Sequence, residues 1–133
     1  MSIPSKLNPG SKIRIVSPAG KCTGEEVLPA MEWLTAQGFR VETGKNWLAT
    51  HFQYAGTDRE RLTDLQEALD DPEAGAIICT RGGNGTLRLI DQLDFSRFRK
   101  HPKWVVGYSD ITILHNRLQL SGFPSVHGAM CRS

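Results

Sequence analysis

Three short stretches hold the residues able to do chemistry: Ser17 to Gly20 in "IVSPAG", Arg81 to Gly85 in "CTRGGNG", and Ser109 with Asp110 in "VVGYSDITILH". In the last, an apolar β-branched run ends at Gly107-Tyr108-Ser109-Asp110 and passes into a helical pattern with no loop between. A serine at such a turn has two readings. It is a nucleophile on a sharp elbow, where the helix N-terminus and the Asp110 N–H favour the oxyanion formed on an attacked carbonyl. Otherwise it is the N-cap of the helix, its hydroxyl accepting from the first turn. The stretch lacks the second glycine of G-x-S-x-G, so spacing alone leaves both readings open.

The glycines of "RGGNG" allow a positive-φ turn and a close backbone approach. They supply a second oxyanion donor, with Gly83 best placed, or cradle a phosphate, or simply make a tight turn. Neither a Walker loop nor G-x-G-x-x-G fits, because no Lys-Ser/Thr follows and the glycine spacing is wrong. Arg81 is a candidate for binding a substrate carboxylate through its fork, or for a structural pair with Asp110 or Asp91. A serine nucleophile needs a base. Of His51, His101, His115 and His127, none has a carboxylate in a sequence position to orient it, and only His127, at the end of the last expected strand, belongs near the same edge. Cys22, Cys79 and Cys131 are odd in number, far apart and without C-x-x-C spacing, which argues against a disulfide framework and a zinc site and for a reducing compartment.

The elements that must position these residues follow from the hydrophobic pattern. "KIRIV" is a first strand, "FRVETG" a second, "AGAIICT" a third of the doubly buried kind, "KWVVGYS" a fourth, and "PSVHGAM" a fifth. Thr23 and Glu26 have capping-box spacing ahead of Val27, Met31 and Leu34, with Gly38 as the C′ residue, although Pro29 delays the regular helix to its own position. Thr57 and Glu60 open a second helix carrying Leu62, Leu65 and Leu69 and ending before Pro72. Leu87, Ile90 and Leu93 predict a helix after "RGGNG", and Ile111, Leu114 and Leu118 another after Ser109. "FRKHPK" reads as a polar turn. This alternation predicts a flavodoxin-like, doubly wound parallel sheet in order 2-1-3-4-5 with helices on both faces. In that order the three chemistry-bearing loops rim one crevice at the carboxyl ends of strands one, three and four.

Sixteen basic and 14 acidic residues are scattered through 133, giving a net charge of +2 and no basic stripe of the sort nucleic acid requires. No stretch approaches the roughly 20 apolar residues of a membrane span, and the first residues lack a signal-peptide core, so the expectation is one soluble cytoplasmic domain.

The stretches from Phe52 to Phe95, "VVGYSDITILH" and "HGAM" together resemble, in order and spacing, the N-terminal domain of the LD-carboxypeptidases, a serine peptidase family that includes murein tetrapeptide carboxypeptidases and microcin C immunity peptidases. The resemblance implies cleavage of an L–D peptide bond, typically releasing terminal D-alanine from cytoplasmic murein tetrapeptide during cell-wall recycling. Carried onto this chain, it makes Ser109 the nucleophile, gives the oxyanion hole to the N–H groups of Asp110 and Gly83, and sets Arg81, Gly82 and Asn84 against the substrate. The family often has an aromatic at the Asn84 position and a proline at that of Ala129, so the substrate rim is expected to differ. No metal or cofactor is implied. The expected partners are a murein peptide or a peptide–nucleotide conjugate and a C-terminal domain carrying the general-base histidine and its orienting glutamate; a homodimer is left open. Residues 1–133 are thus expected to be the nucleophile-bearing domain alone, inactive by itself, with an anion-binding domain without catalysis as the alternative.

Overall fold

The computed structural model describes residues 2–132. Five strands form one all-parallel sheet: β1 (Lys12–Val16), β2 (Arg40–Thr43), β3 (Ala74–Cys79), β4 (Trp104–Gly107) and β5 (Val126–His127), in the order β2-β1-β3-β4-β5. The helices are α1 (Gly24–Ala36), α2 (Asp58–Asp70), α3 (Ser96–Lys100) and α4 (Thr112–Leu120). The predicted doubly wound fold and strand order are the observed ones. One apolar cluster joins α2, α3 and α4 to one sheet face through Leu65, Ile77, Phe98, Val105 and Leu114, all fully buried. A smaller one joins α1 to the other face through Ile13, Ile15, Val27 and Leu34.

Both capping boxes form: Thr23 with Glu26, and Thr57 with Glu60. The first overrides the expected late start of α1, which begins at Gly24 and carries Pro29 inside it. A proline there removes only one ladder hydrogen bond, and the reciprocal cap has already fixed the first turn. Gly38, at φ 95°, closes α1 as a Schellman turn, with the Phe39 N–H bonded to Leu34 O and the Gly38 N–H to Thr35 O.

Three further expectations differ from the structure. The Leu87–Leu93 stretch is two 3₁₀ turns, Thr86–Arg88 and Ile90–Gln92, with Leu87 69% exposed and Leu89, Ile90 and Leu93 buried. The supposed polar turn contains α3, started by Asp94, whose carboxylate accepts from the Ser96 N–H, and anchored by buried Phe98. β5 is only two residues long. Beyond it the chain turns back across the sheet end, where the Cys131 and Arg132 N–H groups bond Cys79 O and Thr80 O.

Candidate active site

The elbow begins with a packing constraint. Gly107 ends β4, and a Cβ there would stand 2.8 Å from Ile111 Cγ2, so only glycine lets the new helical turn fold back beneath the strand. Tyr108 is extended. Ser109 then takes φ 61°, the left-handed region that costs an L-residue about 1–2 kcal/mol. A 3₁₀ turn, Ser109–Ile111, runs from it into α4, and the Thr112 N–H closes on Ser109 O and Asp110 O. Ser109 is exposed, and its hydroxyl caps nothing among the described residues, which removes the N-cap reading.

The glycine turn lies against this elbow. A Cβ on Gly82 would be 3.2 Å from Ser109 Cβ, 3.4 Å from its Oγ and 3.5 Å from the Asp110 nitrogen. Gly82 O accepts from the Gly20 N–H at 2.9 Å. In a trans peptide the next N–H points opposite to that carbonyl, so the Gly83 N–H is directed away from the β1 loop, and among the described residues it has no acceptor. Gly83 and Gly85 sit at φ 109° and 127°, backbone that a side chain would strain. The Asp110 side chain binds the two turns together: its Oδ2 accepts from the Thr86 N–H at 3.0 Å.

The "SPAG" loop completes the edge. Ser17 Oγ is buried between Thr80 Oγ1 (2.7 Å) and Trp47 O (2.8 Å), tying the ends of β1 and β3. Arg61, 1% exposed, is the residue sequence reading missed. It donates from Nε to Pro18 O (3.1 Å), from Nη1 to Gly56 O (3.0 Å) and from Nη2 to Gly85 O (3.2 Å) and Asp58 Oδ1 (2.9 Å), with Tyr54 stacked on the guanidinium at 4.8 Å. One side chain thereby fixes the loops after β1, β2 and β3. The signal was its position on the apolar face of α2, one helical turn before Leu65.

Arg81 pairs with neither proposed carboxylate: Asp110 holds Thr86, and Asp91 lies 3.9 Å from Arg117. The Arg81 guanidinium instead packs over Gly20, where a Cβ would meet Nε at 2.8 Å, and donates to Lys21 O at 3.0 Å. Asn84 is exposed. Among the histidines, His127 is exposed at the end of β5 with its ring 6.0 Å from Tyr108, and His115 is held at both nitrogens, by Ser125 Oγ and Gly107 O. His51 makes a tight hairpin with Tyr54, and His101 ends α3. Burial pushes the Cys79 thiol far up and that of Cys131 to about 11, so neither is a thiolate near neutral pH. Among the described residues no group of three His, Cys, Asp or Glu could hold a metal, and no helix is long and apolar enough to cross a membrane.

Residues 13–128 match the family model described as the LD-carboxypeptidase N-terminal domain. The chain is 41% identical over 128 residues to a probable murein peptide carboxypeptidase of Bacillus subtilis, covering 96% of this chain and 40% of that protein. It superposes on an MccF-like protein from Bacillus anthracis with a TM-score of 0.89 at 32% identity, covering 99% of this chain and 41% of the other. A structure of MccF in complex with glutamyl sulfamoyl guanosine matches with the same TM-score at 27% identity, covering 98% and 40%. The chain thus spans about 40% of the length of the relatives it matches.

Proposed function

The chain belongs to the LD-carboxypeptidase family, of which it supplies the N-terminal domain, and on that premise we propose that it carries the nucleophile of a serine carboxypeptidase that cleaves an L–D peptide bond in a murein peptide or a peptide–nucleotide conjugate. Ser109 Oγ attacks the scissile carbonyl carbon, and the N–H groups of Gly83 and Asp110 receive the charge that develops on its oxygen. The proton leaves Oγ for a base and is returned to the departing amine of the D-residue; water then hydrolyses the acyl-enzyme. Arg81, Gly82 and Asn84 line the substrate side of the crevice. The base is assigned to a histidine on a C-terminal domain, oriented by a glutamate there, so residues 1–133 alone hold an incomplete site.

One observation carries this reading: an exposed serine held at φ 61° directly against a glycine turn whose Gly83 N–H has no acceptor among the described residues. The resemblance to proteins named for murein peptides and for MccF supplies the substrate class. The test is D-alanine release from an L–D tetrapeptide by the full-length protein and its Ser109→Ala variant. Turnover is expected to fall on the order of 10⁴ to 10⁶ with folding intact; a variant within tenfold of wild type overturns the nucleophile assignment. Residues 1–133 are expected to be folded and inactive, and turnover by them within tenfold of the full-length protein would place the base in this chain, with His127 the first candidate. The same free N–H groups fit a second reading, a domain that binds an anionic ligand without cleaving it, which the full-length protein would reveal by binding the peptide and releasing nothing.

A further inference from the structure

We propose that His115 is a positioning residue for Ser109, cross-tying the two limbs of the elbow; this rests on the assignment of Ser109 as nucleophile. His115 stands on α4, six residues beyond Ser109, yet its ring reaches back to the strand that precedes it. Nε2 lies 2.8 Å from Gly107 O, and Nδ1 lies 2.5 Å from Ser125 Oγ. A carbonyl oxygen only accepts, so Nε2 bears the proton and donates. In the neutral ring Nδ1 is then bare and accepts from the Ser125 hydroxyl. One half-buried side chain joins the end of β4, the helix after the elbow and the loop before β5.

That placement matters because of what lies between its anchor points. Gly107 is two residues before Ser109, and α4 begins three residues after it. The left-handed φ of 61° at Ser109 persists only if both sides of the turn are fixed, since rotation of the Tyr108–Ser109 peptide or a small slide of α4 along β4 would relieve it. On the strand side, Gly107 O is further held by the Gly128 N–H at 3.2 Å. On the helix side, Ile111 packs under Gly107 and its N–H donates to Tyr108 O at 3.3 Å, a bond that stays within the turn itself and reaches no further along β4. The imidazole is a side-chain link from α4 itself to the end of β4, and it sets the distance between the limbs from beyond the turn.

The chemistry of the link separates it from ordinary packing. The donor must sit at the ε position, so His115→Gln, whose amide nitrogen occupies the place of Nε2, keeps the link, whereas His115→Asn, whose amide occupies the place of Nδ1, and His115→Ala lose it. Long-range ¹⁵N–¹H correlation spectra of residues 1–133 are expected to show the neutral Nε2–H tautomer. Scalar couplings and Cα/Cβ shifts at Ser109 are expected to report a left-handed backbone in wild type and Gln variant and a relaxed one in the Asn and Ala variants. In the full-length protein, kcat on an L–D tetrapeptide is expected to fall about 100-fold for Asn and Ala, the cost of a misplacement of order 1 Å, with KM nearly unchanged, and to stay within about threefold of wild type for Gln. An Nδ1–H tautomer, an unchanged Ser109 backbone in the Asn variant, or equal losses for Gln and Asn overturns the proposal. If the full-length protein cleaves no peptide, the serine peptidase reading fails, and the tautomer and backbone measurements still decide what His115 does.

Discussion

The two ends of the sheet solve the same problem in different ways. At the amino ends of the strands, Gly10, Gly38 and Gly122 take the positive-φ positions, so among the described residues turns there carry no left-handed side chain. At the carboxyl ends Gly56, Gly83 and Gly85 do likewise, but Phe52 and Ser109 also adopt φ near 60°. The amino end combines charge pairs, Lys12 with Glu42 and Asp71 and Arg14 with Asp71 at 2.6–3.0 Å, with side chains bonded to backbone, among them Lys103 Nζ to Leu69 O and His101 O. The carboxyl end is held by side chains bonded to backbone: Arg61 to three carbonyls, Arg81 to one, His115 to one, and Asp110 to the Thr86 N–H. Strain is stored where chemistry is proposed, and the loops that carry it are fixed by directional bonds to main chain.

The sharpest break of that comparison is at Arg61. Arg61→Met leaves Pro18 O and Gly56 O without their Arg61 donor in a buried place and Gly85 O with the Arg88 N–H alone, and the expected loss is about 3–5 kcal/mol in chemical denaturation of residues 1–133. A loss under 1 kcal/mol would mean that the three loops hold one another without it. Next comes Gly82→Ala. Its methyl would enter the space 3.4 Å from Ser109 Oγ and 3.5 Å from the Asp110 nitrogen, where the oxyanion is proposed to form. Turnover of the full-length protein should drop about 100-fold, comparable to loss of one oxyanion donor, with stability changed by less than about 1 kcal/mol. Unaltered kcat/KM would move the oxyanion site elsewhere.

What was legible in the sequence divides along the same line. The strand order and the convergence of the three loops followed from βα alternation and from local turn chemistry, Gly107 to Asp110 and Arg81 to Gly85 being punctuation that needs no tertiary information. The cross-ties were not legible. Arg61 lies in a helix rich in charge, where an arginine reads as solvated, and only its register with Leu65 and Leu69 betrays it. The Asp110 bond to Thr86 and the His115 bond to Gly107 depend on how far one loop sits from another, which spacing does not encode. The Leu87–Leu93 stretch was misread because three leucine-like residues suggested a helix, whereas Asp110 capping Thr86 starts a tight 3₁₀ turn and leaves Leu87 in water. α3 was missed because one buried aromatic, Phe98, outweighs the charged residues around it.

At the amino end the expected effect is smaller and depends on pH. Burial works against a charged Asp71, but the hydrogen bonds from Lys12, the Glu73 N–H and Arg14 outweigh it and hold the carboxyl at about 2, below its ordinary 3.8. Because the folded value is the lower one, the stabilisation is fully present above pH 3.8 and is lost as pH falls from there towards 2. Its size is about 1–2 kcal/mol once partial solvent access is allowed for. Denaturation of wild type and Asp71→Asn between pH 2 and 6 should show a gap that closes with acid; parallel curves would show that the Asp71 charge contributes nothing.

The smallest effect tests the strain itself. Ser109→Gly removes a left-handed L-residue, which saves about 1–2 kcal/mol, but glycine gives back about 0.5–1 kcal/mol through the freedom it adds to the unfolded chain. The net expectation for residues 1–133 is a gain of about 0.5–1 kcal/mol, while Ser109→Ala, which keeps the Cβ and therefore the strain, should stay within about 0.5 kcal/mol of wild type. The contrast between these two variants is the measurement, because both lack the hydroxyl and both should abolish turnover in the full-length protein. A comparable glycine substitution at an amino-end position of ordinary φ, Ala74 at the start of β3, should lose stability instead, about 0.5–1 kcal/mol from unfolded-chain entropy alone. If Ser109→Gly were also less stable than Ser109→Ala, the elbow would hold Ser109 without strain, and the difference drawn between the two ends of the sheet would reduce to their hydrogen-bond partners.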